Sequence, residues 1–201
     1  MSLHLLEVAP ARAITAPVVI GLDTALGSSS STGTGIASSL GWCEPVGYPG
    51  RKKDGITGLP HPERLVELEQ LVHRIMLAVG KPHLVVMELP APSRSGGGAH
   101  ERAWLWWETY RQLGRADIPV GLMTPNHRML YATGKGAASK SAVVDAVARR
   151  WPAWETGGDD NLADSVVLMA AGLDWLGHAP VDMPKANRAA LDKAIWPEVT
   201  A

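Results

Sequence analysis

The sequence predicts an α/β protein built on a five-stranded mixed sheet flanked by helices. Three observations carry that expectation. A short apolar run at residues 18–23 closes on a lone carboxylate, Asp23, and a Ser/Gly-rich loop leads to a second apolar run at 34–42. This is the pattern of a β-hairpin with a long connection. A later apolar run at 83–88 also closes on one carboxylate, Glu88, and follows a stretch of helical periodicity. A continuous apolar run after a helix reads as a buried parallel strand reached by a crossover. Further helical patterns at 100–114, at 139–150 and from about 159 supply the layers that cover the sheet.

Taken in order, residues 1–17 read as an irregular lead-in, and the first strand runs to Asp23. A carboxylate in a buried strand costs roughly several kcal/mol unless a hydrogen-bonded turn or a cation compensates it. On this stretch alone, Asp23 reads equally well as the acid that starts the Ser/Gly turn. Residues 47–60, rich in Gly, Pro and charge and including Arg51, Lys52 and Lys53, form either a third, edge strand with its turns or a surface loop. Pro62 then opens a helix, a position that tolerates proline. Leu65, Leu68, Leu71, Val72, Ile75, Met76 and Val79 follow at helical spacing until Gly80-Lys81-Pro82 stops them.

Beyond Glu88, residues 89–99 form a Pro/Gly/Ser-rich loop that contains Arg94. The helix at 100–114 carries Trp104, Leu105, Trp107 and Leu113, whose first expected role is core packing and whose second is a dimer contact. Residues 118–123 read as a short strand, 125–131 as a helix and 132–136 as a turn, and Ser139 caps a helix that runs to Arg150. Gly157-Gly158 breaks the chain before the last long helix, which starts around Asp159-Asp160-Asn161. The tail from 178 is irregular apart from one short helix at 185–195.

At 201 residues, 46% of them hydrophobic and 19% charged, the chain is expected to form one domain over 1–176, with a C-terminal extension at 177–201 that packs on the domain or on a partner subunit. The net charge of −1 does not by itself mark a nucleic-acid binder. Its distribution is uneven, however, with a basic middle from Arg94 to Arg150 and an acidic group at Asp159, Asp160 and Asp164. The single cysteine, Cys43, excludes an internal disulfide and a cysteine-rich zinc site. No signal peptide is legible and no apolar run spans a membrane, so a cytoplasmic location is expected.

The candidate chemistry lies in four acids: Asp23, Glu88, Asp160 and Asp164. The two strand acids close their strands at the same end of the sheet, where ligands of α/β folds gather. Asp160 and Asp164 share a helix face by their i,i+4 spacing, and the apolar neighbours of Asp164 turn it inward. Gathered carboxylates raise one another's pKa unless a cation lies among them. An all-oxygen donor set favours Mg²⁺ or Mn²⁺ over zinc, and two such ions can drive phosphodiester hydrolysis.

This order of acids resembles the RNase H-like nuclease superfamily. More narrowly, the chain is similar to the RuvC family of Holliday-junction resolvases, including RuvC-like proteins encoded by bacteriophages. The matching pieces are Gly21-Leu22-Asp23, Val85-Val86-Met87-Glu88, the run from Ala132 through Gly134-Lys135-Gly136 to Lys140-Ser141, and Asp160-Asn161-Leu162-Ala163-Asp164-Ser165. The resemblance implies an RNase H-like fold and a homodimeric, structure-selective endonuclease. It would nick branched DNA symmetrically with two Mg²⁺ (or Mn²⁺) ions, and helix 100–114 would make the dimer.

It also implies that Asp23 bridges both ions, that Glu88 and Asp164 complete their shells, and that Lys140 acts near the scissile phosphate. Lys135 would contact the DNA backbone, joined by Arg94, Arg51, Lys52 and Lys53 from the loops. The family spaces its last ligand pair i,i+3, which points to Asn161, so Asp159, Asp160 and Asn161 stay open for the fourth position. The family's aromatic wedge has no counterpart here, because Leu89-Pro90 follows Glu88. Flap or fork cleavage and a non-cutting DNA-binding module are the alternatives. An Asp followed by a Ser/Thr/Gly loop also resembles the phosphate loop of sugar kinases and actin-like ATPases, but those need two such domains.

Overall fold

The structure, a computed structural model, describes residues 16–27, 33–50, 55–90 and 98–198. Arg51, Lys52, Lys53, Arg94 and the lead-in up to residue 15 lie outside the described residues. Five strands form one sheet: β1 (Val19–Leu26), β2 (Gly33–Ser38), β3 (Trp42–Val46), β4 (Leu84–Glu88) and β5 (Val120–Met123), in the spatial order β3-β2-β1-β4-β5. The first three pair antiparallel, and β1, β4 and β5 are parallel. The mixed sheet predicted from sequence is therefore the one observed.

Three boundaries differ. β1 does not end at Asp23 but continues to Leu26, with an irregularity in its pairing between those two residues. The run 34–42 is not one strand. Ser39, Leu40 and Gly41 make a tight turn, with Gly41 at φ 92°, and the chain reverses into β3. The third strand is thus Trp42–Val46 rather than a segment of 47–60, and its Pro45 is tolerated because β3 is an edge strand. After it, Tyr48 makes an isolated bridge and Gly55–Gly58 a short 3₁₀ turn.

Among the described residues six helices join and flank the strands: α1 (His61–Val79), α2 (Ala99–Arg115), α3 (Pro125–Thr133), α4 (Lys140–Arg150), α5 (Asp160–Trp175) and the single turn α6 (Lys185–Arg188). The tail helix expected over 185–195 is divided into α6 and a 3₁₀ turn, Leu191–Lys193. Strand alternation sends Ile20, Leu22, Val85 and Met87 to one face, where they pack with Leu71, Ile75, Leu105 and Leu113 of α1 and α2. Val19, Leu84 and Val86 go to the other face and meet α5, which α3, α4 and the tail cover in turn. Enclosure on all sides explains why α5 is buried from Leu162 to Asp174. Among the described residues no helix is long and apolar enough to cross a membrane.

Two expected core positions are corrected. Leu65 faces solvent at 50% exposure, on the outer side of α1. In α2 the buried tryptophan is Trp106, whose indole N–H donates to the Glu88 carbonyl at 2.8 Å, while Trp107 is 63% exposed. The inward stripe of α2 runs through Leu105, Thr109 and Leu113, which leaves Trp107 on the outer side.

The close seating of α5 depends on two strand glycines. A Cβ on Gly21 would lie 1.9 Å from the Ser165 carbonyl oxygen, and one on Gly35 would lie 2.1 Å from that of Asn161. Both obstacles are helix backbone, which cannot rotate away. Gly21→Ala and Gly35→Ala are each expected to destabilise the protein by about 3 kcal/mol or more, read as a fall in thermal midpoint by circular dichroism. A midpoint within a degree or two of the parent would mean that α5 does not sit on the sheet in this way.

Candidate active site

The strand acids come together through register. β1 and β4 run parallel with Leu22 beside Met87, so the next step along each strand brings Asp23 beside Glu88. Alternation places Asp23 on the same face as Val19 and Gly21, toward α5, and Glu88 on the face of Leu84 and Val86. Asp164 lies on α5 above them and is buried at 6% exposure. Because Gly21 and Gly35 let the helix backbone approach the sheet, Asp164 comes near enough to share an arginine with Glu88 and to act on Asp23.

The start of α5 sorts its acidic residues. Asp159 is the N-cap, and its carboxylate accepts from the Leu162 N–H at 3.0 Å. The Asn161 amide donates to the Gly33 carbonyl of β2 at 2.9 Å, so that side chain is turned to the sheet's hairpin. Asp160 pairs with Lys140 and lies close enough to add to the negative field on Asp23 and Asp164. Of the three positions left open by sequence, Asp160 is the one that faces the cluster.

Sequence reasoning missed Arg128. α3 begins directly where β5 ends, with the Thr124 hydroxyl accepting from the His127 N–H at 3.2 Å, so its first turn lies over the carboxyl edge of the sheet. From there Arg128, only 7% exposed, pairs through Nε with Glu88 and through Nη1 with Asp164. The available signal was a charged residue in helical phase with the apolar Tyr131 and Ala132 just after a strand. Lys135, by contrast, is exposed on the turn after α3, and Lys140 opens α4 after its Ser139 cap. Lys140 reaches Asp160 from outside the cluster.

The electrostatics follow from burial and crowding. Asp23 is held well above its ordinary carboxylate range, first by burial and then by repulsion from Glu88 and Asp164, with Arg128 opposing. Burial also raises Glu88, against the pull of Arg128. Asp164 is pushed up to about 7, mainly by burial, with Arg128 lowering it and Glu88 and Asp160 raising it further. The Lys140 hydrogen bond holds Asp160 low. For Arg128, burial works against the charge, but Glu88 and Asp164 outweigh it and keep the guanidinium protonated.

No protein-family model matches the chain, and no curated protein matches it. Among solved structures it is similar to that of Thermus thermophilus RuvC, with 18% identity and a TM-score of 0.53 over 81% of this chain and 98% of that one. The T. thermophilus RuvC structure in complex with a Holliday junction substrate superimposes equally well, with 19% identity, a TM-score of 0.53 and the same coverage. The fold is RuvC-like. As the RNase H-like sheet of that fold, β3-β2-β1-β4-β5 carries the acid cluster at the carboxyl edge of its central strands, over which α3 and α5 begin.

The donor chemistry of this RuvC-like edge suits a hard divalent cation. Asp23, Glu88, Asp160 and Asp164 offer only oxygen, and these four carboxylates face two cations, Arg128 and Lys140. Among the described residues no ion pair reaches Asp23, and no three His, Cys, Asp or Glu side chains converge as a ready-made ion cage. Arg128 instead links Glu88 to Asp164.

A raised carboxylate pKa has a definite sign in stability. Asp23 contributes fully to stability below its unfolded-state value, near 3.8, and that contribution is lost as pH rises through the higher folded value. Asp23→Asn is therefore expected to stabilise the metal-free protein by about 1–3 kcal/mol at pH 8, with the gain vanishing toward pH 4. Urea denaturation at the two pH values measures it. An Asn variant less stable than the parent at pH 8 would place Asp23 outside the crowded cluster.

Proposed function

We propose that this chain is a divalent-metal-dependent endonuclease that resolves Holliday junctions as a homodimer, of the type that bacteriophages encode among RuvC-like proteins. The observation that carries the reading is the placement of Asp23, Glu88, Asp164 and Asp160 at the carboxyl edge of a RuvC-like sheet, near enough for Asp23 to feel the charge of the other three. The similarity to a RuvC structure that holds a Holliday junction substrate supports branched DNA as the ligand.

In this reading Asp23, Glu88, Asp160 and Asp164 would hold two Mg²⁺ (or Mn²⁺) ions. When bound, such ions supply Lewis-acid activation of water and neutralise charge on the leaving oxygen. The protein's own groups do the rest. Asp23, which no ion pair reaches among the described residues, would offer its carboxylate to the ions. Arg128 offsets the charge of Glu88 and Asp164, so the acids can remain close before any ion arrives. Lys140, at the rim beside Asp160, meets the phosphate nearest the cut, and Lys135 on the exposed turn meets the backbone further on. Arg94, Arg51, Lys52 and Lys53 extend the DNA path. α2 makes the dimer, with the exposed Trp107 and Tyr110 as its contact.

A second reading, cleavage of flaps or forks, is favoured by one observation. Leu89 and Pro90 follow Glu88 where the family's junction-opening aromatic would be. Cleavage of a four-way junction, a flap, a fork and a linear duplex with Mg²⁺, beside Asp23→Asn, tests both. Paired symmetric nicks in the junction are expected from the parent. The variant should cut about a thousandfold more slowly or worse and still bind, with affinity that falls steeply with salt. Preferred cutting of flaps or forks would move the substrate, and no metal-dependent cutting at all would leave a DNA-binding module.

A further inference from the structure

The C-terminal extension is joined to the helix that carries Arg128, and we propose that its Asn187 and Arg188 are positioning residues that set α3 against α5 and so hold the Arg128 guanidinium in the acid cluster. This rests on the nuclease reading above.

α3 has nine residues, too few to hold its own shape. Its placement must come from tertiary contacts, those at its two ends among them. The N-terminal end is set by its direct junction with β5. At the C-terminal end, the last carbonyls of a helix have no partner within it. Here the Asn187 amide donates to the Tyr131 carbonyl at 2.8 Å, and an Arg150 guanidinium N–H donates to the Ala132 carbonyl. Asn187 is 4% exposed and lies against Gly134, where a Cβ would come within 3.4 Å of its Oδ1.

The second tie is a buried carboxylate near the other end of α5. Asp174 is 3% exposed and accepts the Tyr131 hydroxyl at 3.1 Å. Arg188 grips the same carboxylate with a fork, Nε to Oδ2 at 3.1 Å and Nη2 to Oδ1 at 3.0 Å. A two-pronged guanidinium–carboxylate contact fixes orientation as well as distance. Tyr131 is completely buried and stands less than one helical turn beyond Arg128. α3 is therefore tied to α5 twice, by Arg128 to Asp164 and by Tyr131 to Asp174, and the tail braces the second tie.

The tail is itself anchored to the strand that feeds α3. Ile195 exchanges two backbone hydrogen bonds with Leu122 of β5, at 2.8 and 2.9 Å. Trp196 covers Gly121, where a Cβ would lie 2.7 Å from its ring, and stacks on Trp175 of α5 with centroids 4.6 Å apart. β5, α3 and α5 are thus stapled by one segment, and each of them leads to a part of the acid cluster.

The test compares the parent with Arg188→Ala, Asn187→Ala and Arg188→Lys, each assayed well below its own melting temperature. Single-turnover junction cutting with Mg²⁺, junction affinity without it, and the NMR resonance of the Arg128 Nε–H, assigned through Arg128→Lys, are read for each. Both alanine variants are expected to cut about tenfold more slowly with junction affinity unchanged, to shift or broaden the Arg128 resonance, and Arg188→Lys to recover part of both. If Arg188→Ala does not fold, Asn187→Ala decides. A lowered melting temperature with unchanged cutting and an unchanged Arg128 resonance would overturn the proposal and leave the tail a stability element. If the parent cuts no DNA, the nuclease reading fails, while the resonance still decides whether the tail sets Arg128.

Discussion

The ion pairs of Arg128 with Glu88 and Asp164 are the interaction on which the carboxyl edge of this sheet depends. Acids brought together in a buried volume repel, and each loses its hydration. A single guanidinium can face two carboxylates at once because its donors lie in a fixed plane. It joins a strand acid to a helix acid and so ties β4 to α5 through a third element, α3. The cluster is compensated only in part, since Asp23 has no such partner among the described residues.

A second constraint, steric rather than electrostatic, makes the first possible. α5 must lie close enough to β1 and β2 for Asp164 to reach the strand acids, and only residues without a side chain allow its backbone that near. Gly21 and Gly35 satisfy this, and Gly172 does the same lower on the helix, where a Cβ would press on Val86 and Val19. The small residues facing one another across this interface therefore serve the site through distance. The cost of crowding the acids is borne by the two packed faces of the sheet, whose large apolar clusters lie on either side of it.

The carboxyl edge thus combines rigid support with unsatisfied charge. The strands and α5 are fixed by burial, whereas Lys140 and Lys135 stand at the rim on exposed positions. Such an arrangement suits divalent cations, which supply the positive charge that the gathered acids lack. It also separates two tasks: inward-facing groups set the geometry of the acids, and outward-facing groups meet what arrives.

Much of the fold was legible in the sequence because its signals are local. Apolar runs ending on Asp23 and Glu88, helical periodicity after Pro62, the Ser139 cap and the i,i+4 spacing of Asp160 and Asp164 each need only a few neighbouring residues to be read. The division of 34–42 into two strands was missed because Ser38-Ser39-Leu40-Gly41 is weakly marked as a turn within an apolar context. Trp106 and Trp107 were exchanged because the inward stripe of α2 is fixed by what packs on it, not by composition. Sequence by itself determined which elements carry the acids. Only the tertiary structure decided that Asp159 caps, that Asn161 turns to Gly33 and that Arg128 compensates the cluster. Arg128 stands 40 residues from Glu88 and 36 from Asp164 in sequence, and pairing over such separations is set by strand register and helix seating, which no local pattern encodes.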